Sequence, residues 1–432
     1  MFELIKTLLR KLDPLRGFLT IPGLITLGGL VLAFATMQLD VQIDKNQTGF
    51  WVQLIDIDYG PAQALLSSLT TASMSALSLV YSSVLVVFTL AAGNIGPRLL
   101  QRFTDDRLSQ VAVGMLGATF LYSLIVLRFT SDGNVHRFSV LVAVILAGMS
   151  VILLLIFVNA VARRVTIDEE VAAIALELDN QIEIEIGKEQ KQSAPAEVSA
   201  PPGPKMILNA QQSGYVSYLA PDFLIELAEK NGLFIEVLVS PGDYMLPDMP
   251  VAEVTGNVEA SVAEEILNGI ALARSRSPDG DLRFSIHLMV EIAIRALSPG
   301  INDSYTAIVC IDRLSSSVAW ARKKGLHHGS YTDENGIPRL KTPRLTSDDL
   351  LIEAFAPIRR NARGNVMVLL TLIDALARIA EVSGRAEGDQ IATLLERIGD
   401  EIDASDLIAD DEAKLRDRLE AVQHRFYPSA DV

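Results

Sequence analysis

Six hydroxyl side chains set one stretch of the chain apart. Ser67, Thr71, Ser75, Ser78, Ser82 and Thr89 follow one another at steps of four, four, three, four and seven, a spacing that holds them along one face of an α-helix. The opposite face carries Leu69, Leu77, Val80, Val84 and Val87. In an apolar setting such a stripe has two uses. Small hydroxyl residues let helices approach closely and hydrogen-bond across a packing seam. Several copies can instead turn their hydroxyls toward a water-filled path. Each hydroxyl can also bond to its own helix backbone, so the stripe alone leaves both readings open. Asn94-Ile95-Gly96-Pro97-Arg98 then breaks the helix, and Arg98 with Arg102 is placed either to meet lipid phosphates or to ring a pore mouth.

A second group lies far downstream. Ser298, Asn302 and Asp303, with Arg295 one turn earlier, offer oxygen donors for a cation and a guanidinium for an anion. The same residue types are what a helix-turn-helix corner needs for capping, and Asn302 or Asp303 is suited to cap the helix that follows. Other chemistry is sparse. Cys310 is the only cysteine, which excludes an intrachain disulfide and a multi-cysteine metal site. Among five histidines only His327 and His328 adjoin, short of a zinc signature. No catalytic constellation and no glycine-rich phosphate cradle stands out, so the expectation is a protein that is not an enzyme and carries no cofactor or metal.

The elements that must position these residues are membrane helices. The chain is 50% hydrophobic and only 21% charged, with a mean hydropathy of +0.31, and the apolar excess is concentrated in residues 18 to 161. A bilayer core about 30 Å thick needs about 20 apolar helical residues. Phe18 to Leu39, Ala64 to Gly93, Leu108 to Phe129 and Phe138 to Ala162 all meet that length. The first is too long for the apolar core of a cleaved signal peptide. No Asp, Glu, Lys or His falls inside the spans, which argues against a proton-coupled transporter.

Lys6, Arg10, Lys11 and Arg16 precede the first span, Arg98, Arg102 and Arg107 separate the second from the third, and Arg163 and Arg164 follow the fourth. All three sets fall on one side, with Arg128 and Arg137 dissenting, which predicts cytoplasmic termini in a bacterial inner membrane. The net charge of -16, without a basic stripe, excludes a general nucleic-acid binder.

The expected fold is an α-helical integral membrane protein with four transmembrane helices and a cytoplasmic α+β region. Its divisions are a transmembrane domain over residues 1–165, a membrane-proximal helix over 166–187, a disordered Pro/Ala linker over 188–205, a small β-rich unit over 206–260 and a helical domain over 261–432. Within the β unit, Phe234 to Val239, the Pro241-Gly242-Asp243 turn and Pro250 to Val254 resemble half of a biotinyl/lipoyl-type barrel-sandwich module. It has no lysine at the comparable turn, so cofactor attachment is not expected. Tyr331 to Pro343 suggests a hairpin-like excursion.

Two long motifs carry a wider resemblance. "AAGNIGPRLLQRFTDDRLSQVAVGMLGATFLYSLIVLR" in the membrane part and "IAIRALSPGINDSYTAIVCID" in the soluble part resemble the uncharacterised prokaryotic membrane family catalogued as domain of unknown function 2254. The likeness runs from the first helix into the C-terminal helices. Family members usually continue Asn-Asp with Pro where this chain has Ser304, which implies a looser turn. The resemblance implies an architecture and no activity. Two functions remain in view: a homo-oligomeric, channel-like or passive transport component built around the second helix, and a membrane-anchored sensor or scaffold whose soluble part binds a ligand or protein. The expected partners are the lipid bilayer, further copies of the chain, and ions or a small ligand.

Overall fold

The computed structural model describes residues 20–43, 57–94, 107–132, 134–164, 167–192, 199–276, 281–326, 329–333, 335–343, 345–384 and 390–427. The chain divides into two compact units, Met1–Thr166 and Ile167–Val432.

The first unit consists of α1 (Thr20–Ile43), α2 (Tyr59–Asn94), α3 (Arg107–Phe129) and α4 (Arg137–Arg164). All four are long and apolar enough to cross a membrane, and a helix pairs its interior backbone polar groups within itself, as a lipid setting requires. α3 is the axis of the bundle: it is the most buried of the four and packs against each of the others. Small residues bring α1 onto it. A Cβ added to Gly29 would stand 2.8 Å from the Ala118 backbone, and one added to Gly117 would stand 2.6 Å from the Thr26 hydroxyl. These are the close approaches that glycine permits between membrane helices.

Polar ties then fix the bundle. The Thr36 and Tyr122 hydroxyls lie 2.8 Å apart, and Tyr122 donates to the Ser139 carbonyl at 3.0 Å. Asp40, near the end of α1, accepts from the Phe138 and Ser139 amides at 2.8 and 3.0 Å and from the Ser139 hydroxyl at 2.6 Å. It therefore satisfies orphan amides at the start of α4, as an N-cap side chain would.

The second unit opens with α5 (Ile167–Gln192). The helix runs into residues expected to form linker, since Gly187-Lys188-Glu189-Gln190-Lys191-Gln192 is polar but holds only one glycine and no proline. Next come β1 (Lys205–Asn209), β2 (Gly214–Leu219), α6 (Pro221–Asn231), β3 (Phe234–Val237), β4 (Tyr244–Met245), β5 (Pro250–Thr255), α7 (Ala260–Asn268) and β6 (Ile270–Ala273). The helical part holds α8 (Leu282–Ala296), α9 (Ser304–Lys324), α10 (Ser347–Asn361), α11 (Val366–Ser383), α12 (Gln390–Asp403) and α13 (Ala409–Phe426). Between α9 and α10 lies the hairpin β7 (Ser330–Thr332) and β8 (Pro338–Lys341).

The strands form two sheets, one in the order β1-β5-β3-β8-β7 and one in the order β4-β2-β6. β3 and β5 pair antiparallel, but β4, between them in sequence, pairs with β2 in the other sheet. The β region also reaches past residue 260. β6 joins β2, and β8 returns after α8 and α9 to lie parallel to β3, with Leu340 opposite Ile235. Ile235, Val254 and Leu340 are fully buried in the resulting core. Parallel pairing requires such a crossover, so the sheet and the helices share one unit.

Candidate functional site

The hydroxyl stripe lies on α2, and its rotation is set by packing. Ala62, Leu66, Ser73, Val80 and Val84 are buried, at steps of four, seven, seven and four. Leu69 and Leu77 are half-buried on the flank, whereas the Val87 side chain lies outside the described residues. The opposite face is turned outward, and Ser67, Thr71, Ser75, Ser78, Ser82 and Thr89 are all exposed within the single chain.

Three of the six are satisfied locally: Thr71 donates to the Ser67 carbonyl at 3.0 Å, Ser78 to that of Met74 at 3.1 Å and Thr89 to that of Leu85 at 2.9 Å. The Ser67, Ser75 and Ser82 hydroxyls have no partner among the described residues, and they recur about every two turns. Such groups gain from a second hydroxyl surface or from water, and lipid chains offer neither. Arg98 and Arg102, and the pair His327 and His328, lie outside the described residues.

The downstream group is a corner between α8 and α9. Ser298 donates its hydroxyl to the Arg295 carbonyl at 2.6 Å. The Asn302 amide reaches the Ser298 carbonyl at 2.9 Å with φ at +50°, a left-handed conformation that asparagine tolerates. Asp303 caps α9, accepting from the Thr306 amide at 3.1 Å and the Thr306 hydroxyl at 2.6 Å. Arg295 occupies the last turn of α8, where a cation meets the negative end of the helix dipole. The Ser298 hydroxyl and the Asp303 carboxylate thus serve the turn itself. At Ser304, Asn365 donates to the serine hydroxyl at 2.7 Å, which ties the start of α9 to the start of α11.

A further site emerges only from the fold. Asp281, Arg283, Tyr331, Glu185, Ser240 and Thr342, from α8, β7, α5 and three loops, face a cleft of about 120 Å³. That is room for a few waters or a small group, below the size of a typical metabolite pocket. Burial pushes the Tyr331 phenol well above its usual range, and the nearby Glu185 charge adds to the shift. Burial likewise raises the Asp281 carboxyl, against the pull of Arg276, whose Nη2 and Nε donate to it at 2.7 and 3.2 Å.

From there a polar chain leaves the cleft. Arg276 Nη1 faces His287 Nδ1 at 3.2 Å, His287 Nε2 faces Glu353 at 3.0 Å, and Arg283 Nε lies 3.0 Å from the same carboxylate. Arginine can only donate, so Nδ1 is the acceptor in the contact with Arg276. Gly242, at φ +94°, lets the Pro241-Gly242-Asp243 turn close over this pair; a Cβ there would stand 2.6 Å from the Asp281 carboxylate. One signal was present in the sequence: Arg283 and His287 lie four apart and share a helix face. The other groups are dispersed in sequence, from Glu185 at the cleft to Glu353, which both Arg283 and His287 face.

Four apolar helices and a separate α+β unit define a multi-pass membrane protein. The chain belongs to the family described as "Predicted membrane protein (DUF2254)", whose model matches residues 16–378. It is similar to uncharacterized protein Mb1321c of Mycobacterium bovis and uncharacterized protein Rv1290c of Mycobacterium tuberculosis, each 25% identical in an alignment of 338 residues that covers 74% of this chain. The match covers 64% of the length of those relatives. No solved structure matches the chain.

The Asp303 cap yields a prediction. The Thr306 hydroxyl holds the Asp303 carboxyl below its ordinary value of 3.8. A depressed native value means stability that is complete above about pH 5 and fades as the pH falls through the lowered native pKa. Asp303→Ala should cost about 1 kcal/mol in denaturant unfolding near neutral pH, whereas Asp303→Asn, still a good cap, should cost less. The gap between wild type and Asp303→Ala should narrow below pH 3.8.

Proposed function

We propose that this protein self-associates in the bacterial inner membrane along the hydroxyl face of α2 and forms a channel-like, passive path for small solutes at that seam. The observation that carries the reading is the outward rotation of Ser67, Ser75 and Ser82, exposed and without partners among the described residues. A single copy would present them to lipid chains. Further copies would supply hydroxyl partners or enclose water, and Thr71, Ser78 and Thr89, already bonded to their own helix, still offer lone pairs to either. The role is non-enzymatic.

Purified protein in liposomes should pass small ions, and Ser75→Leu with Ser82→Leu should reduce that flux at least tenfold while leaving the protein folded. Bilayers that stay silent with the wild type under varied ion and voltage conditions would count against the path. They would favour the second reading, an anchored sensor or scaffold. That reading has its own support in the cleft beside Tyr331, Arg283 and Asp281.

Orientation rests on the arginines and lysines that flank the spans. A phosphatase reporter fused after Val432 should be inactive and a cytoplasmic fluorescent reporter bright, placing the soluble unit and both termini in the cytoplasm. The reverse pattern would invert the topology.

A further inference from the structure

The helices of the second unit have a common end. Asn365 at the start of α11 donates to Ser304 at the start of α9, while Arg378 pairs with Asp312 at 2.5 Å and Arg322 reaches Ser383 at 3.3 Å further along. α9 and α11 therefore run parallel, with their starts together. α5 runs the same way: Asp168 in its first turn acts electrostatically on Cys310 in α9, and further along both helices, about three turns on in α5 and two in α9, Asp179 accepts from Ser317 at 2.5 Å. α8 runs opposite to α5, with Ser285 near its start bonded to Gln181 at 3.2 Å. Its end meets the same corner, where the Asp303 amide donates to the Ala296 carbonyl at 2.8 Å. The α12–α13 turn arrives there as well, since Arg363 donates to the Ala404 carbonyl.

This end carries large apolar side chains with no cover among the described residues: Tyr305 is 72% exposed, Ile408 69%, Ile301 45% and Met367 43%. A soluble surface normally scatters such residues rather than collecting four at one end of a bundle. Here the same end holds the start of α5. Only Val165 and Thr166 separate Ile167 from Arg164, the last residue of the fourth candidate span. Three Cα steps reach about 11 Å, so the start of α5 stays close to the bilayer whichever way the unit is turned.

We propose that this end is an interfacial membrane contact, in which Ile301, Tyr305, Met367 and Ile408 enter the headgroup region of the lipid surface. Tyrosine is suited to that depth, with an apolar ring and a hydroxyl that stays wet. The local charges do not select anionic lipid. Asp168, Glu169 and Glu170 in the first turn of α5 stand at the same end as the exposed Arg360 and Arg363. The contact is one of apolar insertion, and zwitterionic lipid suffices. The inference does not depend on the role assigned to α2.

Nitroxide labels test it on the full chain in phosphatidylcholine proteoliposomes. Tyr305→Cys and Met367→Cys probe the end itself. Val382→Cys, 48% exposed and roughly 22 Å further along α11, is the control. Cys310 is fully buried, so the wild type serves as the labelling blank. Labels at 305 and 367 should relax several-fold more with oxygen than with a water-soluble nickel chelate, and the label at 382 should show the opposite preference. Two results would overturn the proposal: a label at 305 or 367 as open to nickel as the one at 382, or one shielded from both reagents, which would mean protein, such as a second copy, covers the end.

Discussion

The packing of three helices around α3 is the constraint from which the rest of the membrane unit follows. Gly29 and Gly117 allow α1 and α3 to touch at backbone distance, and Tyr122, deep in α3, is held between Thr36 of α1 and Ser139 of α4. With α1 and α4 fixed, the remaining side of α3 receives α2 through Leu66, Val80 and Val84. Burying those residues leaves α2 no freedom to hide its hydroxyls. The stripe faces outward because the apolar side of the same helix is the side that fits α3.

The second unit obeys a different constraint. Its five-stranded sheet is completed by β8, which is separated from β3 in sequence by α8 and α9. The helices and the sheet must therefore fold together, and the cleft lined by Asp281, Arg283 and Tyr331 lies where they meet. The buried Asp281 carboxylate is tolerated there because Arg276 donates to it. His287 lies between Arg276 and Glu353, and Gly242 lets the β3–β4 turn cover the Asp281–Arg276 pair.

How much of this was legible in the sequence depended on the distance over which each feature is encoded. The four spans were plain, since each is an uninterrupted apolar run whose length matches a bilayer. The cap at Asp303 was equally local, because the residue and the helix it serves are adjacent. The hydroxyl face could be read from spacing alone, yet its outward rotation could not, since that depends on α3. The continuation of α5 to Gln192 was hidden by a polar composition that suits a solvated helix as well as a linker. β8 and the cleft lay beyond reach for the same reason: Glu185, Asp281, Tyr331 and Glu353 come together only through the crossover. The exposed end of the second unit required knowing which helix termini coincide.

The proposed function stands on copies of this chain meeting along α2. Cysteine cross-linking in native membranes tests it most directly, with Ser75→Cys on the hydroxyl face compared with Leu155→Cys, an exposed apolar position on α4. Rapid cross-linking is expected at position 75, with dimers or larger species on a non-reducing gel, and little at position 155. Cross-linking at 155 with none at 75 would contradict it, and so would a protein that stays monomeric at both.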